Sequence, residues 1–291
     1  MPITLLTLVI LGLLWGGVYL LMAEGLNLIY GVMKVVNLAH GDFIVLGGLL
    51  AYSLYSGRHI SPLLAFPCAF ALLFAIGAAV QYGILERITA PGAEGELRSL
   101  LATFGLSYVV SNLSFLIWGS QFQSIPFLQS ALLLGSVAIP KGLIAASLVA
   151  FATALVVHVW LTRTITGKAV HATAQSSLGA ATCGLEIRKI RIIAFAVGSA
   201  MAGGAGVLAI TLIPFQPSSG GDLTVQAFTL IALGGLGNYA GAWIAAELIG
   251  LVEVFTQYFA NSNVASAVIY VVFIAVLIFR PQGLLGKAGR V

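Results

Sequence analysis

Asp42 and Asp222 are the only aspartates in this 291-residue chain. Intramembrane aspartyl proteolysis needs two at matched depth. The run Ser219-Gly220-Gly221-Asp222 is close to a G-x-G-D element but has Ser in place of its first Gly, and it falls in a loop on the side opposite Asp42. Serine hydrolysis needs a buried Ser–His pair, and His40, His59, His158 and His171 all fall at span edges or in loops. The phosphate-cradling pattern G-x-x-x-x-G-K-[ST] is absent, so the chain has no nucleotide-hydrolysing site of its own. Cys68 sits in an apolar run and Cys183 in a basic loop, without the C-x-x-C spacing of a metal or redox centre. The chain is read as a non-enzyme with no catalytic residue, metal or cofactor.

Carboxylates at mid-membrane are costly and usually functional; the candidates are Glu24, Glu247 and Glu253. Only Glu247 falls deep in its run, and no Lys, Arg or His partner is evident. It is more simply placed bonding a neighbouring helix or lining water than coupling transport to an ion. Asp42, just before an apolar run, is placed as the N-cap of the helix that follows.

The elements that must position these residues are membrane helices. The chain is 60% hydrophobic and 8% charged, with a mean hydropathy of +1.07, against roughly 25% charge in soluble domains. The fold class is all-α, a polytopic transmembrane bundle of about eight or nine spans of ~20 residues. The apolar runs are Leu5–Tyr30, Phe43–Ser56, Pro62–Leu85, Leu100–Trp118, Gly142–Leu161, Ile192–Ile213, Leu223–Leu236, Tyr239–Phe259 and Val264–Phe279. The start, MPITLL, lacks a signal's basic region, so the first run is expected to be a retained span. That run is long and expected to break at Gly25/Gly31; Leu223–Leu236 is short and ends in Gly234-Gly235-Leu236-Gly237. Broken or short segments point to a transport path, because irregular backbone at depth survives only beside protein or water. Residues 5–56 and 223–259 also echo one another as a broken or short helix followed by a span. Gly198, Ala202, Gly203, Gly204 and Gly206 read as a close-packing face.

One polar stretch, residues 162–191, holds five of the thirteen basic residues. Its spaced small residues Ala169, Ala172, Ala174, Leu178, Ala181 and Leu185 read as a short docking helix within Lys168–Glu186, and His171 and Gln175 as a solvated or partner-facing surface. Placing this loop in the cytoplasm puts Lys34, Arg87, Arg98, Arg163, Lys168, Arg188, Lys189, Arg191, Arg280, Lys287 and Arg290 inside and only Arg58 and Lys141 outside, as the positive-inside rule requires. The N-terminus is then outside, the C-terminus cytoplasmic, and the loops Gln121–Pro140 and Pro214–Asp222 face outward. The net charge of +4 is a topology signal and implies no nucleic-acid partner.

Gly25-Leu26-Asn27-Leu28-Ile29-Tyr30-Gly31-Val32-Met33-Lys34, followed by Val36-Asn37-Leu38-Ala39-His40-Gly41-Asp42-Phe43, closely resembles the N-terminal signature of branched-chain amino-acid ABC transporter permeases of the H-type (Liv) subunit. Ala232-Leu233-Gly234-Gly235-Leu236-Gly237-Asn238 with Gly241-Ala242 is similar to that family's Gly-rich turn, and Phe279-Arg280-Pro281-Gln282-Gly283-Leu284-Leu285-Gly286 to its ending. The basic loop resembles the family's coupling segment, except that Ser176-Ser177 stands where charged residues usually follow Ala174-Gln175.

The resemblance implies one transmembrane permease domain, residues 1–291, with residues 162–191 as its cytoplasmic coupling loop, in the lipid of a bacterial inner membrane. It implies a second homologous permease subunit, two cytoplasmic ATP-binding subunits and a periplasmic substrate-binding protein. The expected function is ATP-driven import of branched-chain or related amino acids. The alternatives are an ABC permease for urea or short-chain amides, which shares these motifs, and an autonomous ion-coupled carrier or channel. The expected path residues are Asn27, Asn37, Gly41, Asp42, Gly234, Gly235, Gly237, Asn238 and Glu247. The expected ATPase contact is Lys168, His171, Ala174, Gln175, Gly179 and Gly184.

Overall fold

The computed structural model describes residues 2–88, 93–134, 137–280 and 282–286. Pro281 of the C-terminal signature, and Lys287 and Arg290 of the charge asymmetry, lie outside them. In chain order the elements are α1 (Pro2–Met33), α2 (His40–Arg58) and α3 (Pro62–Val80), which continues through a π-helical stretch at Gln81–Leu85 into α4 (Glu86–Ile88). Next come α5 (Ala93–Trp118), an antiparallel hairpin of β1 (Ala131–Leu134) and β2 (Val137–Pro140), and α6 (Lys141–Arg163). The remainder is α7 (Ile165–Gln175), α8 (Ser177–Thr182), α9 (Ile187–Ala209), α10 (Gly220–Gly234), α11 (Tyr239–Phe259) and α12 (Ser262–Phe279).

Among the described residues, 7 helices are long and apolar enough to cross a membrane: Thr4–Met33, Pro62–Ile88, Glu94–Trp118, Lys141–Arg163, Ile187–Ala209, Tyr239–Phe259 and Ser262–Phe279. The two remaining expected spans correspond to α2 and α10. At 15 residues α10 rises about 22 Å, short of the ~30 Å hydrocarbon core.

The expected break within the first span does not exist. α1 is a single helix of 32 residues, because a glycine inside a helix costs only about 1 kcal/mol and Gly25 instead gives its bare face to the backbone of Gly198. The interruption falls after α1. Lys34 adopts φ 58° and closes the helix, its N–H donating to the Tyr30 carbonyl at 2.8 Å. The chain then folds back, so that α2 starts against Met22, well inside the bundle. The echo between residues 5–56 and 223–259 therefore loses the break in its first helix.

α9 is the central post. Its Gly/Ala face is almost wholly buried against α1, α2 and α3, where small residues let backbones approach and dispersion contacts accumulate. The outward faces of α5 and α12 carry exposed Leu101, Phe104, Tyr108, Leu116, Val271 and Ile278. These are apolar surfaces that suit lipid tails rather than water.

Candidate functional site

Two helix N-termini meet inside the bundle. α2 begins at His40, whose Nε2–H donates to the Met22 carbonyl at 2.9 Å. α10 begins at Gly220, against the first turn of α2: a Cβ on Gly41 would overlap the Gly220 carbonyl, and one on Gly220 would overlap the Asp42 carboxylate. The Gly41 N–H donates to Thr224 Oγ1 at 2.8 Å, and the Thr224 hydroxyl faces the carbonyls of Leu38 (3.2 Å) and Gly220 (3.0 Å). Leu38 N–H donates to Thr103 of α5 at 3.2 Å. The loop before α2 is thus clamped between α5 and α10. Thr224 carried no signal in the sequence, being one hydroxyl in an apolar run.

Asp42 is not the N-cap. That position belongs to Ala39, which makes no side-chain cap, and Asp42 lies in the first turn of α2, 3% exposed. Carboxylates are favoured beside helix N-termini, and two such ends converge here; its Oδ2 has no hydrogen-bond partner. The start of α2 is held instead by Asn37, whose Oδ1 accepts from the Ala39 N–H at 3.1 Å and whose Nδ2 stays unpartnered.

Five expected path residues form a second unit. Asn27 Oδ1 of α1 accepts from the Gly237 N–H at 2.8 Å. Gly235 and Gly237 adopt φ 105° and 80°, a region open to glycine at no steric cost, and Gly234 packs directly on Gly241. Asn238 caps α11, its Oδ1 accepting from the Gly241 N–H at 3.1 Å. Leu284 and Leu285 of the C-terminal signature close this turn. The N–H groups of Leu284 and Leu285 donate to the carbonyls of Leu233 (2.7 Å) and Gly234 (3.2 Å), and Asn238 Nδ2 donates to the Leu285 carbonyl at 2.6 Å. The last carbonyls of a helix lack internal partners, so residues 284 and 285 complete α10.

Glu247 stands apart from both groups. It is half-buried on α11 against Gly16 of α1, and neither carboxylate oxygen has a hydrogen-bond partner. Elsewhere between α1 and α11, Tyr19 donates a hydrogen bond to Glu253.

The basic loop forms two helices where one was expected. Ser176, with φ −157° and ψ 108°, ends α7 and begins α8, its Oγ accepting from the Gly179 N–H at 3.0 Å. Thr164 caps α7 in the same way through the Gly167 N–H at 3.0 Å. Serine competes well for such capping geometry and poorly for helix interiors, so Ser176-Ser177 divides the segment. Lys168, His171, Gln175, Gly179 and Gly184 are exposed and Ala174 is half-buried. α7 rests its buried Gly167, Val170 and Thr173 on the bundle. A cavity of about 460 Å³ opens between α7 and the Gly-rich turn, joining His171, Ala174 and Gln175 to Gly237 and Asn238, with Lys34 beside them. Lys34 and His158 of this cavity were not among the expected site residues.

Residues 8–277 match the family described as "Branched-chain amino acid transport system / permease component". The chain is 28% identical over 290 residues to the high-affinity branched-chain amino acid transport system permease protein BraD of Pseudomonas aeruginosa, covering 95% of this chain and 94% of that one. It is 25% identical over 291 residues to the corresponding LivH of Escherichia coli K12, with the same coverage of 95% and 94%. It is 24% identical over 242 residues to the ribose import permease protein RbsC of E. coli K12, covering 80% and 72%. The solved structure of PsaBC from Streptococcus pneumoniae in complex with Fab aligns over 94% of this chain and 91% of that one, at 13% identity and a TM-score of 0.49. With a multi-pass helical bundle and a family match from the first span to the last, this chain belongs to the branched-chain amino acid transport system permease components.

Proposed function

We propose that the chain is the membrane-spanning permease subunit of an ATP-driven importer for branched-chain or related amino acids. The observation that carries this reading is the meeting of α2 and α10 at Gly41 and Gly220, inside the bundle and beside Asp42. Helix ends that face each other at depth offer N–H groups to a carboxylate, and the Asp42 carboxylate offers a partner to an ammonium group. A zwitterion suits both. In this conformation the pair is closed, with Asp42 buried, so passage requires α10 to move relative to α2. α10 ends in the Gly-rich turn, and that turn faces α7 across the cavity. A push on α7 from a cytoplasmic ATPase thereby reaches the start of α2 through one short helix.

In this reading the basic loop is cytoplasmic, the N-terminus is outside and the membrane is the bacterial inner one. Two copies of the docking surface serve two ATP-binding subunits, the second copy coming from a homologous permease, and cargo is delivered by a periplasmic binding protein. The similarity of the chain to permeases for branched-chain amino acids over 95% of its length supports the cargo class.

Reconstitution tests it. With the partner subunits and binding protein, proteoliposomes should accumulate leucine only when ATP is supplied. Accumulation by this chain alone, down an ion gradient, would overturn the proposal. Urea or an amide as the only cargo would overturn its substrate half.

A further inference from the structure

The cavity between α7 and the Gly-rich turn has two kinds of wall. Leu28 and Val32 of α1, with Leu161 and Leu236, supply apolar lining. Lys34, His158, His171, Gln175 and Asn238 supply polar and basic lining, and among the described residues no Asp or Glu lines it. Its volume of about 460 Å³ is that of a small-molecule site, which is typically apolar with a few convergent polar groups. Lys34 has no ion-pair partner among the described residues. Its Nζ stands beside Gly237, where an added Cβ would lie 4.0 Å from it. Lys34 is exposed, yet partial desolvation lowers the pKa of its ammonium from the usual lysine value, since desolvation disfavours the charged form. A bound anion would reverse that cost.

We propose that this cavity is a binding site for a short aliphatic carboxylate, held by Lys34 and the α7 residues His171 and Gln175 at its head and by Leu28, Val32 and Leu236 along its tail. Without an acidic residue, the lining offers an α-ammonium group no ionic partner. The preferred ligand is therefore a short aliphatic carboxylic acid rather than the zwitterionic amino acid. Such a ligand bridges α7 to the Gly-rich turn and restrains the movement of one against the other. It acts as a brake on the transport cycle, set by the deaminated relatives of the cargo. Binding itself does not depend on the transport reading, but the brake, the kinship of ligand and cargo and the side of entry all rest on it.

The test is equilibrium binding of radiolabelled 4-methylpentanoate to the full-length chain, assembled with its partner subunits in lipid nanodiscs. Saturable binding is expected, and leucine, 4-methylpentylamine and inorganic phosphate should compete at least about tenfold less well, the worth of one charge-assisted contact. Lys34→Met should weaken binding about tenfold. His171→Ala, on an exposed helix face where folding is not at stake, should weaken it about threefold. The proposal is overturned by absence of saturable binding, by unchanged affinity in His171→Ala, or by equal competition from leucine, the amine or phosphate. Loss of binding in discs rich in phosphatidylglycerol would give the cavity to a lipid headgroup and overturn it likewise. ATP-driven leucine uptake with no carboxylate binding sinks this inference alone. Carboxylate binding without ATP-driven uptake sinks the transport reading alone.

Discussion

Asn27 in α1 holds the Gly237 N–H at 2.8 Å, across 210 residues of sequence. This bond joins the end of the first span to the turn between α10 and α11, and Asn27 is fully buried. Removing one partner of a buried hydrogen bond costs the desolvation of the other, about 1–3 kcal/mol. Asn27→Ala should therefore lower the melting temperature measured by thermal-shift assay and reduce uptake. Asn27→Ser keeps a hydroxyl that can accept from this N–H without burying a charge, and should recover part of the stability. Equal damage from both variants would mean that the contact does not matter.

The C-terminal residues cap α10. Truncation after Arg280 leaves the Leu233 and Gly234 carbonyls, and Asn238 Nδ2, without the partners they have on Leu284 and Leu285. The truncated chain should still insert in the membrane, because the spans are intact, yet lose uptake. Asn238→Ala removes the α11 cap, worth about 0.5–2 kcal/mol, together with the bond to Leu285, and should mimic part of that loss. Uptake at the full rate by the truncated chain would show that α10 needs no such cap.

Gly41 and Gly220 permit one close approach. Gly41→Ala places a methyl group on the Gly220 carbonyl, and overpacking of this kind costs about 1–3 kcal/mol. Gly220→Ala meets Asp42 across the same contact, so the double variant should be less than additive. Fully additive losses in thermal stability would show two independent sites.

In the proposed function, coupling rests on α7 and α8. A charged, bulky residue at Ala174 or Gly179 should leave ATP hydrolysis running while uptake falls, measured together in proteoliposomes. Ser176→Ala removes the cap of α8, at about 1 kcal/mol, and should loosen the same coupling to a smaller degree. Normal uptake in the Ala174→Arg variant would place the docking surface elsewhere. The proposed topology has its own check. Cys183 is exposed, yet in a Cys68→Ala background it should resist a membrane-impermeant maleimide added to intact cells.

Glu247 should not drive transport. Its carboxylate faces Gly16 and has no basic partner among its described contacts, and it lies apart from the meeting of α2 and α10. Glu247→Gln should keep most uptake and its pH profile. A lost pH dependence in that variant would instead mark an ion-coupled carrier.

The sequence by itself determined the chemistry class and the parts. Low charge and long apolar runs fix a helical membrane chain, since the bilayer demands that each backbone group be satisfied within its own segment. The short α10 was legible because three glycines in four residues weaken a helix and supply the positive-φ positions that end one, and the close-packing face of α9 because its residues are small. The signatures at residues 25–43, 232–242 and 279–286 were each visible as local runs.

Only the tertiary structure decided how those runs combine. Gly25 and Gly31 suggested a broken helix, but packing against α9 keeps α1 whole and moves the interruption to residues 34–39. Asp42 suggested a cap, but the fold buries it where a second helix begins. That the Gly-rich turn, Asn27 and the C-terminal signature form one bonded unit had no trace in local pattern. In a chain apolar on nearly every face, hydropathy marks which residues enter the membrane but not which faces meet. Those meetings are set by where backbones approach closely and by hydrogen bonds between residues far apart in sequence.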